Sequence, residues 1–264
     1  MESVKSVAGP VVIPDPASIL ALIPARAHSK SIPRKNLRSI AGKPLLAHTI
    51  GHALGASRIG RVIVTTDSEE IAEVARSYGA EAPFLRPSDI SGDFSLDVEF
   101  HRHALEWLRK KEGYVPSFVV NLRPTHPVRR CETIDRAIAL FAASPDADSL
   151  RSVRLSELSP FKMWTIDENG LLSQVTSAGN RREPYNQPRQ LLPLAYWQDG
   201  YIDITRPSIV MEKNSTTGDR IIPFVIDEES VDIDYEDDIP EAERLLSGSE
   251  AHATTISRAR RHPS

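Results

Sequence analysis

Four cations crowd one short stretch of this sequence, IPARAHSKSIPRKN: Arg26, Lys30, Arg34 and Lys35. They follow an apolar run, Ser18–Pro24, and so fall in a loop at the carboxyl end of an expected strand. Arginine offers a planar fork of donors and lysine a compact charge, a combination that suits a polyphosphate. The small residues Ala25, Ala27 and Ser29 let backbone N–H groups approach phosphate oxygens. The stretch is not a P-loop, because it lacks the glycine pair and the Gly-Lys-Ser/Thr ending. On composition alone, a solvated basic loop is the commoner reading. Far along the chain, VDID sets Asp232 and Asp234 two residues apart, so on extended backbone both carboxylates face one spot. Mg²⁺ takes one or two carboxylates and completes its shell with phosphate and water oxygens. Taken alone, such a pair is more often a polar strand end.

The remaining chemical signals are weaker. His48 and His52 stand at i, i+4 without a third ligand or an HExxH glutamate, which reads as a polar helix face. His101 and His103 do not share a helix face. Asp67 is a minor metal candidate that a helix N-cap role already explains. Cys131, the single cysteine, reads as a small helix residue and excludes a disulfide framework within the chain. There is no GxSxG elbow.

The elements that must position these groups alternate. Strand-like runs are Ser18–Pro24, Arg61–Thr66, Ser117–Leu122, Ala147–Val153, Tyr201–Thr205 and Ile221–Ile226. Helical patterns cover Pro44–Leu54, Glu69–Tyr78, Phe94–Lys111, Glu132–Ala142 and Glu236–Leu246. This alternation implies an α/β fold with a mainly parallel sheet covered on both faces, whose ligand sites lie beyond the carboxyl ends of the strands. From Leu155 to Asp199 the pattern changes to Pro, Arg and polar residues, with two short strands, Phe161–Ile166 and Leu171–Gln174, joined by DENG. We expect a hairpin-bearing insertion over about 155–199 within a domain spanning 18–247. Residues 1–17 read as a flexible arm and 248–264 as a disordered tail.

The bulk properties narrow the class. The chain has 264 residues, 40% apolar and 26% charged, an ordinary globular composition. A net charge of −4 argues against a dedicated nucleic-acid binder. No apolar run reaches the roughly 18 residues of a membrane span, and prolines interrupt the N-terminal apolar stretch where a secretory signal would lie. The expectation is a cytoplasmic protein with no membrane or nucleic-acid partner.

The motif IPARAHSKSIPRKN, followed by AGKPLLAHTI, resembles the opening of the acylneuraminate (CMP-sialic acid) and CMP-3-deoxy-ulosonate cytidylyltransferase family. VTTDSEEIAEVA, FLRPSDISGD, LRPTHPVR, NQPRQLLP and SVDIDYEDDI continue the resemblance in order, over roughly Leu20 to Leu246. The resemblance implies a three-layer, Rossmann-like nucleotide-diphospho-sugar transferase fold with a small hairpin element that mediates a homodimer. It implies transfer of CMP from CTP to an acidic sugar, with Mg²⁺, releasing pyrophosphate. By motif position, Arg26 would contact the triphosphate with Ser29 nearby, Lys35 would stabilise the departing pyrophosphate, and Asn36 would hold the nucleotide. Arg86, Ser95 and Asp97 would lie near cytosine and ribose. Arg189 would be catalytic or substrate-binding, and Asp232 with Asp234 would bind the metal. No residue stands out as general base.

The sugar end departs from the family pattern. Sialic-acid-type members usually carry Gln at the position of Arg123, and Asn-Gly with a following Tyr where this chain has Asp199-Gly200 and Asp203. The aromatic pair that lines an acetamido pocket in some members has no counterpart near Asn214–Gly218. These changes leave the CTP and metal residues intact and imply a sugar site containing Arg123, Arg189, Asp199 and Asp203. A nonulosonic or 3-deoxy-ulosonic acid other than N-acetylneuraminate is an equal candidate. Arg123 itself either meets an acceptor-rich group on that acid or pairs with Asp199 or Asp203. Two rivals stay open: a nucleotidyltransferase acting on a sugar 1-phosphate or another acid, and a non-catalytic nucleotide-binding homologue.

Overall fold

The computed structural model describes residues 13–248. The sequence expectations for residues 1–12 and 249–264 lie outside the described residues. Two compact units emerge: the first comprises residues 13–152, 200–224 and 228–248, and the second residues 153–199 and 225–227.

In the first unit, β1 (Ile19–Pro24) is a short apolar strand, buried over its first five residues because both faces of the sheet are covered. A tight pair, β2 (Ser39–Ile40) and β3 (Lys43–Pro44), leads into α1 (Leu45–Gly55). Leu45, Leu46, Thr49, Ile50 and Ala53 of α1 form its buried stripe. β4 (Arg61–Thr65) and α2 (Glu69–Ser77) follow, then α3 (Asp97–Glu112), β5 (Phe118–Asn121) and α4 (Cys131–Ala142). Ser68 caps α2 by accepting from the Ile71 N–H. Gly113, at φ 66°, ends α3 in the left-handed conformation.

β6 (Ser149–Leu155), β9 (Tyr196–Thr205) and β10 (Ile221–Val225) complete a six-stranded sheet in the order β10-β6-β9-β5-β1-β4. β7 (Trp164–Ile166) and β8 (Leu172–Gln174) pair as an antiparallel hairpin in the second unit. The short helix α5 (Pro207–Lys213) and the last helix α6 (Ile239–Leu246) lie in the first unit. β4, β1 and β5 are mutually parallel, whereas β9 runs antiparallel to β5, with Asp203 paired to Asn121.

The chain leaves β1 on one side to form β4 and returns on the other to form β5. The loops after β1 and β5 therefore diverge above the sheet's carboxyl edge, the place where open α/β sheets bind ligands. Leu20, Leu22, Ile63 and Val119 of these strands pack with Phe100, Ala104, Leu105 and Leu108 of α3. Ile32, Ile40, Leu45, Ile233 and Ala242 form a second core cluster, which fixes the cationic loop against the segment that carries Asp232 and Asp234. Among the described residues no helix is long and apolar enough to cross a membrane.

Candidate active site

The loop after β1 is held open by its own side chains. Ala27 N–H donates to Asp67 Oδ1 at 2.8 Å, and Asn36 Nδ2 donates to Arg26 O at 2.9 Å. Asp67 thus pins the cationic loop to the end of β4, while Ser68 alone caps α2. Ser29 Oγ accepts from Ile32 N at 3.5 Å, and Ile32 is buried. Arg34 pairs with Glu70 on α2. Arg26 and Lys30 both reach the Asp93 carboxylate, at 3.0 and 2.7 Å, so two guests for phosphate oxygens are gathered around one anion.

Lys35 turns the other way. Its Nζ donates to Ile233 O at 2.8 Å and lies 3.2 Å from Asp234 Oδ1, with 11% of the side chain exposed. The loop after β1 therefore closes on the Asp232–Asp234 segment from the far end of the chain. Ile233, between the two aspartates, is buried. Asp234 is mostly exposed, whereas Asp232 is partly buried. Burial pushes the Asp232 carboxyl up, against a hydrogen bond from the Thr125 side chain. Its buried Oδ1 has no hydrogen-bond donor among the described residues and lies 3.6 Å from His126 Nε2.

An acceptor oxygen stranded in this way suits a cation. Among the described residues no group of three or more His, Cys, Asp or Glu side chains could hold a metal unaided.

On the opposite flank, Arg86 is buried, donates to Thr65 O at 2.6 Å and lies 5.1 Å over the Phe100 ring. Desolvation lowers its guanidinium to about 10, and its Nε has no partner among the described residues. Ser95 N–H donates to Gly92 O at 3.3 Å in the loop that carries Asp93, and Asp97 opens α3.

Arg123 follows β5 and pairs with Asp97. Of the two alternatives for Arg123, the one that pairs it with Asp199 or Asp203 is thus corrected: its carboxylate partner is Asp97. Asp203, on β9, is fully buried and engages Arg151 at 2.9 Å. Asp199 lies in the second unit and engages Arg154 at 2.9 Å. A β-carbon on Gly200 would come within 3.4 Å of Arg123 Cδ, so the glycine leaves room for that side chain. Arg189 also lies in the second unit, where its Nη2 donates to Ser156 O at 3.2 Å.

Sequence reasoning missed three residues here. Asp93 draws Arg26 and Lys30 together, Thr125 touches Asp232, and Arg129 braces the loop after β5. None had a distinguishing local signal; Arg129 stands beside Arg130, and sequence does not say which of the two turns inward.

A cationic loop at the carboxyl edge of parallel strands, closing on a carboxylate pair, suits nucleotidyl transfer. The chain belongs to the cytidylyltransferase family, whose family model matches residues 20–189. It is 35% identical over 230 residues to the CMP-N,N'-diacetyllegionaminic acid synthase of Legionella pneumophila, covering 86% of this chain and 96% of that protein. It is 32% identical over 217 residues to the N-acylneuraminate cytidylyltransferase of Escherichia coli, covering 82% of this chain and 49% of that longer protein. Among solved structures, a CMP:2-keto-3-deoxy-manno-octonic acid synthetase complexed with CTP superposes with a TM-score of 0.63. At 16% identity, over 87% of this chain and 98% of that one, it supports the shared fold.

Proposed function

We propose that this enzyme transfers CMP from CTP to a nonulosonic or 3-deoxy-ulosonic acid and releases pyrophosphate. The observation that carries the reading is the closure of the polyphosphate-suited loop on the carboxylate pair through Lys35, Ile233 and Asp234. A hydroxyl oxygen of the acid forms a bond to the α-phosphorus of CTP, the bond to the β-phosphate breaks, and the hydroxyl proton leaves to solvent. Such transfers depend on positioning and on neutralising phosphate charge. Arg26 and Lys30 would exchange Asp93 for phosphate oxygens, and Lys35 would meet the departing pyrophosphate. Ser29, Asn36, Arg86, Ser95 and Asp97 would bound the nucleotide. Asp232 and Asp234 would hold Mg²⁺, which supplies positive charge to the phosphates when bound.

Arg123 is our candidate for the sugar acid's anionic or acceptor-rich end. Asp203, through the Arg151 it orients, belongs with Arg123 in the first unit, while Arg189 and Asp199 of the second unit are candidates for the acid by motif position alone. We also propose a homodimer that uses the second unit. Its hairpin exposes Trp164, Ile166, Leu171 and Leu172, more apolar surface than a hairpin normally leaves to water.

The test is pyrophosphate release by the pure protein with each of the four NTPs and a panel of nonulosonic and 3-deoxy-ulosonic acids. CTP should be consumed far faster than the others, and only with an acid present. Equal turnover of UTP with a sugar 1-phosphate would overturn the reading.

A further inference from the structure

The loop after β5 makes a tight turn, closed by His126 N–H donating to Arg123 O at 3.4 Å. The two carbonyls that define this turn, Arg123 O and His126 O, are both taken by one guanidinium. Arg129 Nη2 donates to Arg123 O at 2.7 Å and Nη1 to His126 O at 2.7 Å. The same side chain donates through Nη1 to Thr49 Oγ1 of α1 at 2.9 Å and through Nε to Tyr201 O of β9 at 2.7 Å. Arg129 is buried, with 6% of its surface exposed, and lies 5.4 Å over the Tyr201 ring. One planar fork thus ties the turn to a helix on one side and a strand on the other, a job for which a lysine ammonium has the wrong shape.

The turn's outer side carries the carboxylate segment. Ile233 N–H donates to Thr125 O at 2.8 Å, the Thr125 side chain hydrogen-bonds the Asp232 carboxylate, and His126 Nε2 lies 3.6 Å from Asp232 Oδ1. Both Arg123 and Asp232 therefore take their places from one turn, and the turn takes its place from Arg129.

We propose that Arg129 is a positioning residue for the reaction, acting through Thr125 to place Asp232 and through its bond to Arg123 O to place Arg123. The inference rests on the function proposed above. It also separates the two ends of the site. The groups around Arg26, Lys30, Asn36 and Arg86 hang on the loops after β1 and β4 and owe nothing to Arg129. A misplacement of about 1 Å at a reacting group can cost on the order of 100-fold in rate, so the clamp's effect should be concentrated on the metal and the sugar acid.

The experiment compares Arg129→Lys and Thr125→Val with a control, Arg61→Lys. Arg61 is also a mostly buried arginine forked onto two carboxylates, Glu81 and Glu112, but it lies outside the site. Amide hydrogen exchange, which needs no activity, should show faster exchange at Ile233 in Arg129→Lys than in wild type or Arg61→Lys. The sugar-acid KM and the magnesium concentration for half-maximal rate should each rise at least fivefold in Arg129→Lys. The magnesium requirement should rise alone in Thr125→Val. The Kd for CTP measured calorimetrically in EDTA should stay within twofold of wild type in both. Arg61→Lys should lower Tm without any of these changes.

If Arg129→Lys behaves like Arg61→Lys, losing Tm with Ile233 exchange and both kinetic constants unaltered, Arg129 is only structural and the inference fails. Should Arg129→Lys not fold, an unchanged magnesium requirement in Thr125→Val overturns it instead. A folded wild type that transfers CMP to no acid defeats the proposed function, and the Ile233 exchange comparison then still decides the clamp.

Discussion

Replacing Lys35 with methionine separates the catalytic and the structural contributions of one side chain. Its Nζ holds Ile233 O at 2.8 Å and Asp234 Oδ1 at 3.2 Å, and methionine keeps the apolar stem that packs there. The carbonyl bond contributes about 1 kcal/mol to stability. Asp234 is well exposed, so the ion pair adds at most about 1 kcal/mol. Loss of both amounts to roughly 1–2 kcal/mol, a Tm drop of about 2–8 °C for a domain of this size. In the reaction, the same ammonium would stand where charge develops on the leaving pyrophosphate. Removing such a preorganised charge costs about 2.7–4 kcal/mol of the barrier, roughly 100- to 1,000-fold in kcat. The assay is steady-state pyrophosphate release, with Tm measured by calorimetry on the same samples. A variant that loses Tm as expected yet keeps kcat within tenfold of wild type would refute the assignment of Lys35 to the leaving group.

Three further outcomes follow from the site and its surroundings. Arg123→Gln should raise the sugar-acid KM with the KM for CTP unchanged. A shift confined to CTP would mean instead that Arg123 serves Asp97, and efficient wild-type use of N-acetylneuraminate, unimproved by glutamine, would sink the idea of altered specificity. Asp232→Asn should abolish turnover and raise Tm at pH 7 in EDTA, since burial raises this carboxyl above its unfolded value and its ionised form is a cost to the fold; a lower Tm would contradict that account. Burial, with Arg129 and His48 nearby, depresses His52 to about 3, so its stabilising contribution is present above pH 6.5 and lost as pH falls towards 3. Urea denaturation from pH 7 to pH 4 should show a shallower loss of stability in His52→Gln than in wild type, and parallel curves would remove His52 from the account.

Much of the fold was legible because its elements have strong local signals. β1, β4 and β5 are β-branched or apolar runs bounded by polar loops, and each lies within a residue or two of its expected span. α3 starts at Asp97 rather than Phe94, because Phe94 lies in the loop that brings Asp93 to Arg26 and Lys30. α5 escaped notice for want of length: seven residues after Pro207 give too few turns for a helical period to stand out. The antiparallel course of β9 was also hidden. Pairing direction is decided by tertiary partners, and the run Tyr201–Thr205 reads the same in either sense.

The site divides along the same physical line. Arg26, Lys35, Asp232 and Asp234 could be nominated from sequence because charge density on a loop and i, i+2 spacing are local properties, whereas Asn36 came only from the motif resemblance. What joins them is long-range: the Lys35–Asp234 contact spans 199 residues, and no window of sequence contains it. The sugar end was harder still, because there the useful information lies in which carboxylate each arginine meets. Arg123 had two acidic candidates in the sequence argument, and the fold gives both of them to other arginines, Arg154 and Arg151. Buried Asp203 holds Arg151, Asp199 holds Arg154, and Arg123, nearer the surface, takes Asp97 at the start of α3. Asp97 is a nucleotide-side residue by motif and Arg123 a sugar-side one. Their pairing therefore gives the two halves of the proposed site a shared charge, and a substrate that draws Arg123 away must leave Asp97 free for a new donor.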